Sequence, residues 1–258
     1  MEVQLLILAI FILAIVYSVK FLKKNKVTVT DPVPVLLKKI LTAEVPFYQQ
    51  LNEDKQTVFD ERAARFLTQV KITGVKTRVE DIDRALIAAS AIIPIFNFPG
   101  WEYQNLNEIL LYPDSFDHEY KQQGDGRNIL GMVGTGAMNR VMILSQFELR
   151  QAFTNKTGKG NTAIHEFVHL VDKTDGEIDG VPESLLDKKY IMPWLQLIQL
   201  KIKDIIDDQS DINPYGATNE AEFFAVVSEY FFERPSLLQD KHPDLYALLE
   251  KIFSGKSN

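Results

Sequence analysis

Apolar and polar residues alternate along the chain with two different periods, and these periods predict its secondary structure. Stretches with the three-to-four-residue spacing of a helix, or apolar nearly all round, lie at 52–70, 79–96, 161–172, 193–208 and 220–235. Short runs typical of strands lie at 108–113 and 140–145. The helix over 193–208 is predicted to begin at Pro193. Because helices outnumber strands and the strands cluster in mid-chain, the sequence predicts an α+β fold, helix-rich with a small mixed sheet.

The N-terminus has a different pattern, that of a membrane segment. Residues 3–19 carry no charged side chain, and an unbroken apolar run extends from Leu5 to Val16. At about 1.5 Å of rise per residue, a helix of this length is near the minimum that can cross a bilayer core of roughly 30 Å. A cleaved signal peptide is the alternative, but no Lys or Arg precedes the run and no small-x-small site follows it. The sequence therefore predicts a retained transmembrane anchor over 1–22.

The charges beside this segment predict its orientation. Glu2 precedes it, and four lysines follow it at positions 20, 23, 24 and 26. Because positive residues stay in the cytoplasm, the chain is expected to cross the membrane once and to keep its folded domain in the cytoplasm. A short extended linker with two prolines is predicted over 23–35, and the folded domain over 36–258.

Composition narrows the chemistry. The chain has 258 residues, of which 46% are hydrophobic and 24% charged, the balance of a protein with a sizeable core. It has no cysteine, which excludes disulfides, thiolate nucleophiles and Cys-ligated zinc. The net charge of −7, with no extended basic block outside residues 20–26, speaks against a nucleic-acid partner. The segment GMVGTGAM at 131–138 matches neither GxGxxG nor a P-loop, so no nucleotide site is expected.

The segment His165-Glu166-Phe167-Val168-His169 matches HExxH on a predicted helix. Residues four apart share a helix face, so both imidazoles can reach one zinc ion, while Glu166 is rotated by about 100° and can hold a water molecule. An ordinary buried helix is the alternative. It would leave polar groups without partners in an apolar segment, at about 1–3 kcal/mol each. We therefore predict one zinc ion per chain, bound by His165 and His169.

A catalytic zinc site needs a third protein ligand, and the spacing leaves several candidates open. Asp175 stands six residues beyond His169, a weak metzincin-like arrangement, and His118 and His242 are isolated and expected at the surface. Glu222 and Glu229 are better placed, because they lie seven residues apart on one stripe of an apolar helix.

Both glutamates also have structural interpretations. Glu222 could complete a capping box with Asn219, and Glu229 could pair with a core arginine such as Arg65 or Arg84. The residues alone do not choose between the two. They indicate only that a second helix delivers a carboxylate to the first.

Three segments together resemble the zinc peptidases of the Mlc titration factor A type (MtfA-like): HEFVHLVD, DGEIDGVP and PYGATNEAEFFAVVSEYFFERP. The similarity extends from Leu36 to Phe253 and includes NEILLYPDSF and RVMILSQFELRQAF. It implies a zincin-like metallopeptidase domain in which the RVMILS strand lies near the HExxH helix.

The resemblance also implies functional residues. The zinc ligands would be His165, His169 and Glu222, with Glu166 as general base. Tyr215 would stabilise the oxyanion or donate a proton, whereas the residues alone allow a surface turn there unless its loop folds back over the site. Asp172, three residues after His169, could orient an imidazole.

The function implied is aminopeptidase-type hydrolysis of small peptides by zinc-activated water. The alternative is a zinc-containing binding module with little or no catalysis that sequesters a transcription regulator, since enterobacterial members of the family bind the glucose repressor Mlc. The expected partners are a peptide substrate, the membrane through the N-terminal helix and, in the alternative, a transcription regulator.

Overall fold

The structure is a computed structural model that describes residues 35–117, 129–134, 138–155 and 157–255. These residues belong to a unit that spans Val33–Asn258. Four features named above lie outside the described residues: the predicted anchor over 1–22, the predicted linker up to residue 34, His118, and the side chain of Asp175.

The elements in the described part of the chain are mostly helices. The helices are α1 Val35–Glu44, α2 Pro46–Gln49, α3 Glu53–Gln69, α4 Asp81–Ile92, α5 Gln146–Thr154, α6 Thr162–Asp172, α7 Lys188–Ile206, α8 Glu220–Glu233, α9 Pro235–Lys241 and α10 Pro243–Phe253. The strands are β1 Lys71–Gly74, β2 Glu108–Tyr112, β3 Gly131–Val133 and β4 Val141–Ser145. Short 3₁₀ turns lie at Lys173–Asp175 and Pro214–Ala217. The helix-rich α+β class is therefore confirmed.

The four strands form one mixed sheet in the order β1-β2-β4-β3. β1, β2 and β4 run parallel, with Ile109 beside both Ile72 and Met142. β3 runs antiparallel to β4, with Met132 beside Ile143. The strands predicted at 108–113 and 140–145 are the two in the middle of the sheet, and β3 is an edge strand that the sequence pattern did not reveal.

Helix α6 lies at the centre of the fold, which explains why its sequence is apolar nearly all round. Each of its residues from Ala163 to Asp172 is buried. It packs against α4, α8, β3 and β4, as expected for the RVMILS strand. The ring of Phe167 lies 5.7 Å from that of Phe66 and 5.1 Å from that of Tyr103. The HExxH segment is therefore fixed by the main hydrophobic core.

Helix α7 begins earlier than predicted, so the expected start at Pro193 is wrong. The helix begins at Lys188, where the Asp187 carboxylate accepts a hydrogen bond from the Lys189 backbone N–H at 3.3 Å. Pro193 lies inside the helix and removes one backbone donor there. The buried Trp194 beside it anchors the helix on α8, with its ring 5.8 Å from that of Phe224.

Within the described residues, no helix has both the length and the apolar surface needed to cross a bilayer. The longest helix there, the 19-residue α7, is amphipathic and carries charges at both ends, among them Lys188 and Asp204. This finding contradicts the predicted single-pass membrane localisation with a cytoplasmic catalytic domain, and that prediction is wrong. It also leaves the N-terminal membrane helix without support in the described structure.

Candidate metal centre

Asn161 fixes the start of the HExxH helix. Its side-chain oxygen accepts a hydrogen bond from Ile164 N at 3.2 Å and so caps α6. Its side-chain amide donates to Glu233 Oε1 at 2.8 Å, and its backbone N–H donates to Glu229. The first turn of α6 is thus tied to the second half of α8, which sets the two helices side by side.

Three donor atoms from these two helices converge. His165 Nε2 lies 2.9 Å from Glu222 Oε2, and His169 Nε2 lies 3.1 Å from His165 Nε2 and 3.4 Å from Glu222 Oε2. All three atoms lie within 4.8 Å of one another. Asn219 helps to place the carboxylate, since its side chain accepts from Glu222 N at 2.9 Å. Of the capping box considered from the sequence, the structure shows the Asn219 half, while the Glu222 carboxylate faces the imidazoles.

The chemistry of these donors fits a metal ion. Ligands at roughly 2.0–2.1 Å in a tetrahedral site stand roughly 3.3–3.4 Å apart, close to the separations found here. Two imidazole nitrogens and a carboxylate oxygen facing one another repel unless a proton or a cation lies between them, and a bound metal ion would take that place. Accordingly, although desolvation acts in the opposite direction, Glu229 and Glu222 hold the pKa of His165 well above its usual range.

Glu222 shows the same balance from the carboxylate side. Burial would raise its pKa, but hydrogen bonds from His165 and His169 outweigh burial and lower the pKa to about 2. The site thus retains a negative carboxylate next to a position that attracts positive charge. This is the electrostatic condition for binding a divalent cation.

Glu229 has a role that the sequence left open. Its Oε1 lies 2.6 Å from His165 Nδ1, the nitrogen that faces away from the other donors. It therefore pairs with a histidine rather than with Arg65 or Arg84, as considered above. A carboxylate in this position fixes the tautomer and the ring orientation of a ligating histidine. The two candidate glutamates are thus both part of the site, one beside each nitrogen of His165.

Glu166 and Tyr215 border the same space. Glu166 is 6% exposed, and burial raises the pKa of its carboxyl group. Tyr215 lies on the 3₁₀ turn Pro214–Ala217, with its ring 6.0 Å from the ring of His165. Partial burial raises the pKa of its phenol, as do the carboxylates of Glu222 and Glu166. The loop that carries Tyr215 therefore does fold back over the site.

A cavity of about 750 Å³ opens in front of these residues. Beyond the site residues, it is lined by Ile129, Gly131, Met132, Val133, Ile178, Asp179, Val181, Leu195, Asn219, Glu220 and Ala221. One wall is thus the segment around β3, and others are the loop at 178–181 and the first turn of α8. The sequence did not single out Asp179 or Glu220, because isolated acids in loops and first turns are common.

Asp172 holds the loop wall of the cavity. Its Oδ2 accepts from Gly180 N at 2.8 Å, and Trp194 Nε1 donates to Gly180 O at 2.7 Å. Gly180 has φ +78°, and a Cβ there would collide with the Glu220 carbonyl. Asp172 thus anchors this loop, a role that the sequence did not suggest.

His242 is buried, not at the surface as predicted. Its Nε2 lies 2.8 Å from Asp211 Oδ1, while Asp211 Oδ2 accepts from Lys159, Tyr230 and Lys241. These partners outweigh burial and hold the pKa of Asp211 far below its usual range. This ion-pair cluster accounts for the burial of His242. It also ties Asp211, which shortly precedes Tyr215 in the chain, to α8 and α9.

The chain is similar to several known proteins along most of its length. The sequence profile described as glucose-regulated metallo-peptidase M90 matches residues 19–254. An uncharacterized protein of Synechocystis sp. is 31% identical over 233 residues, which cover 86% of this chain and 84% of the relative. A protein of Pectobacterium atrosepticum named Mlc titration factor A is 29% identical, with 81% and 82% covered. The protein of that name in Escherichia fergusonii is 27% identical, with 78% and 80% covered.

Proposed function

We propose that this chain, a member of the glucose-regulated metallo-peptidase family M90, hydrolyses peptide bonds with one bound zinc ion. The family agrees with the resemblance to the Mlc titration factor A proteins. His165, His169 and Glu222 would hold the zinc. The observation that carries this proposal is the convergence of their three donor atoms beside Glu166, in a cavity large enough for a small peptide. The fold around the site supports a zincin-like domain, because the HExxH helix packs against a mixed sheet whose edge strand is antiparallel.

Each residue then has a defined task. Zinc bound here would supply a Lewis acid and lower the pKa of water. Glu166 takes the proton as the water oxygen bonds to the carbonyl carbon, and delivers it to the leaving amine as the C–N bond breaks. The raised pKa of its carboxyl group suits this exchange. The Tyr215 phenol donates a hydrogen bond to the developing oxyanion, and Glu229 holds His165 in position.

The edge of β3 that faces away from β4, which no other described strand covers, supports an extended peptide as the substrate. Leu130 O accepts from Ser145 N, and Gly134 N donates to Val141 O, so these two residues direct backbone groups toward β4. Directions alternate along an antiparallel strand, so Gly131 and Val133 direct their N–H and C=O groups away from β4. A peptide that adds a strand at this edge would run along the cavity.

The charge of the cavity supports the aminopeptidase type. Asp179 and Glu220 add carboxylates to those of Glu166 and Glu222, and among the described residues that line the cavity there is no Lys or Arg. A negative lining attracts the free ammonium group of a substrate and repels a free carboxylate. We therefore propose small peptides with a free amino terminus as substrates.

The test compares wild type with Glu166→Gln in a preparation with quantified zinc. A panel of peptides is offered in pairs, one free and one acetylated at the amino terminus. We expect both proteins to hold one zinc ion per chain and only wild type to cleave, with the free peptides preferred. Hydrolysis retained in Glu166→Gln would exclude this mechanism, and equal cleavage of the acetylated peptides would exclude the aminopeptidase type.

A second candidate function is supported by the name of the relatives, Mlc titration factor A, which states what those proteins titrate. Under this alternative, the chain is a zinc-containing binding module that sequesters a regulator such as Mlc, with little catalysis. Its test is the affinity of purified Mlc for wild type and for Glu166→Gln. Equal tight binding with no peptide cleaved by wild type would favour the binding module, whereas absence of binding would remove it.

A further inference from the structure

Gly131 in the edge strand β3 lies directly against the side chain of Glu166. A Cβ atom at Gly131 would stand 2.7 Å from Glu166 Cγ and 2.8 Å from Glu166 Oε1. It would also stand 2.8 Å from Thr162 Cγ2, in the first turn of α6. Ordinary contacts begin at 3.4 Å, so any residue larger than glycine requires the side chains of Glu166 and Thr162, or the strand itself, to move.

The backbone conformation does not explain this glycine. The glycines with positive φ are Gly100, Gly176, Gly180 and Gly255 among the described residues, and Gly131 is not one of them. Glycine inside a strand weakens it and often marks a place where another group approaches closely. Here the approaching group is the Glu166 carboxylate, so the need for glycine arises from a side chain.

The backbones of β3 and α6 are both held in place at this contact. β3 is held on β4 by the hydrogen bonds of Leu130 O with Ser145 N at 2.9 Å and of Gly134 N with Val141 O at 2.8 Å. α6 is held by its cap at Asn161 and by its buried apolar residues. The flexible member of the contact is the Glu166 side chain itself, which would swing away from an added methyl group.

We propose that Gly131 is a positioning residue for the hydrolysis: the space left by its missing side chain holds the Glu166 carboxylate where it meets water. This inference rests on the proposed role of Glu166. It assigns a function to one glycine of the segment GMVGTGAM, which has no nucleotide-binding pattern. The sharp consequence is that a single methyl group on β3 lowers turnover without touching a metal ligand.

The experiment measures kcat, KM and zinc content of wild type, Gly131→Ala, Thr162→Ser and the double variant. Glu166 must move until the 2.7 Å contact reaches at least 3.4 Å, and a displacement of this order costs roughly 10- to 100-fold in rate. We expect Gly131→Ala to lower kcat by roughly that factor, with one zinc ion retained and KM within about twofold. The double variant should remain equally slow, because Thr162→Ser removes only the methyl contact of the helix. Full recovery of kcat in the double variant would overturn the proposal, because the loss in Gly131→Ala would then come from the clash with Thr162 and not from the clash with Glu166.

A stability cycle covers the case in which Gly131→Ala folds poorly or wild type cleaves nothing tested. The change in melting temperature caused by Gly131→Ala is measured in wild type and in Glu166→Ala, which lacks both clashing atoms. We expect a clearly smaller loss in the Glu166→Ala background. Equal losses in both backgrounds would refute the contact. An inactive wild type with unequal losses would refute the proposed peptidase but leave the steric relation between Gly131 and Glu166 standing.

Discussion

Replacing Glu229 by Gln tests how the metal centre is held, because it changes one charge and almost no volume. One carboxylate oxygen of Glu229 lies 2.6 Å from His165 Nδ1, and the other accepts from the Asn161 backbone N–H. An amide has one acceptor oxygen and one NH₂ group. It can therefore satisfy only one of these two donors, and its NH₂ group must face the other.

The magnitude follows from this mismatch. A buried donor left without an acceptor costs about 1–3 kcal/mol. Loss of a carboxylate that orients a ligating histidine lowers metal affinity by about 10- to 100-fold, which is about 1.4–2.7 kcal/mol. The first figure is a loss of folding stability, and the second is the loss of metal affinity that the assay measures. We expect Glu229→Gln to raise the zinc dissociation constant by about 10- to 100-fold.

The assay is competition for zinc against a chromophoric chelator near neutral pH. Glu220→Gln is the matched control, because it removes a carboxylate from the same helix and from the same cavity while leaving the contact to His165 unchanged. The control separates the general loss of negative charge from the loss of the orienting hydrogen bond. A dissociation constant in Glu229→Gln that is unchanged, or raised no more than in Glu220→Gln, would refute the assigned role.

Three further outcomes test the rest of the site. Tyr215→Phe should lower kcat by about 100-fold with zinc content and KM nearly unchanged, measured by steady-state kinetics; undiminished kcat would exclude the phenol as oxyanion donor. Burial raises the pKa of Glu233 to about 7, so the folded chain keeps this proton to higher pH than the unfolded chain does. Its contribution to stability is therefore present below pH 4.5 and lost as the pH rises to about 7. Glu233→Gln, which can still accept from Asn161, should raise the melting temperature at pH 8 and not at pH 5; a gain equal at both values would contradict the assignment. Finally, chelation of zinc should lower the melting temperature and zinc should restore it, because an ion at 100 times its dissociation constant stabilises by about 2.7 kcal/mol. A melting temperature that does not respond would contradict a metal bound to the folded state.

The sequence predicted the parts of this site that depend on local spacing. Four residues separate His165 from His169, and helix geometry alone places both imidazoles on one face. The strong apolar pattern likewise predicted the central helix and the two middle strands correctly. Such features depend on neighbours in sequence, so a single chain contains the information needed.

Other features depend on contacts between distant segments, and the sequence could not supply them. Glu222 and Glu229 share one stripe of α8, and only the packing of α8 on α6 determines which nitrogen of His165 each one meets. His242 was expected at the surface because it is isolated in the sequence, whereas its partner Asp211 comes from a distant loop. Gly131 resembles a flexible loop residue until the side chain of Glu166 is placed against it.

The three residues that would bind the zinc ion, and Glu229 beside His165, lie on two helices, α6 and α8, that pack directly on each other. Among its described side chains, the segment between them, residues 173–219, contributes the loop wall of the cavity, Leu195 and Tyr215, but no member of the cluster of candidate ligands. One wall of the cavity and the candidate metal ligands therefore come from separate stretches of sequence. Exchanging the loop at 178–181, with the two ligand helices left intact, would reshape that wall without replacing a candidate metal ligand.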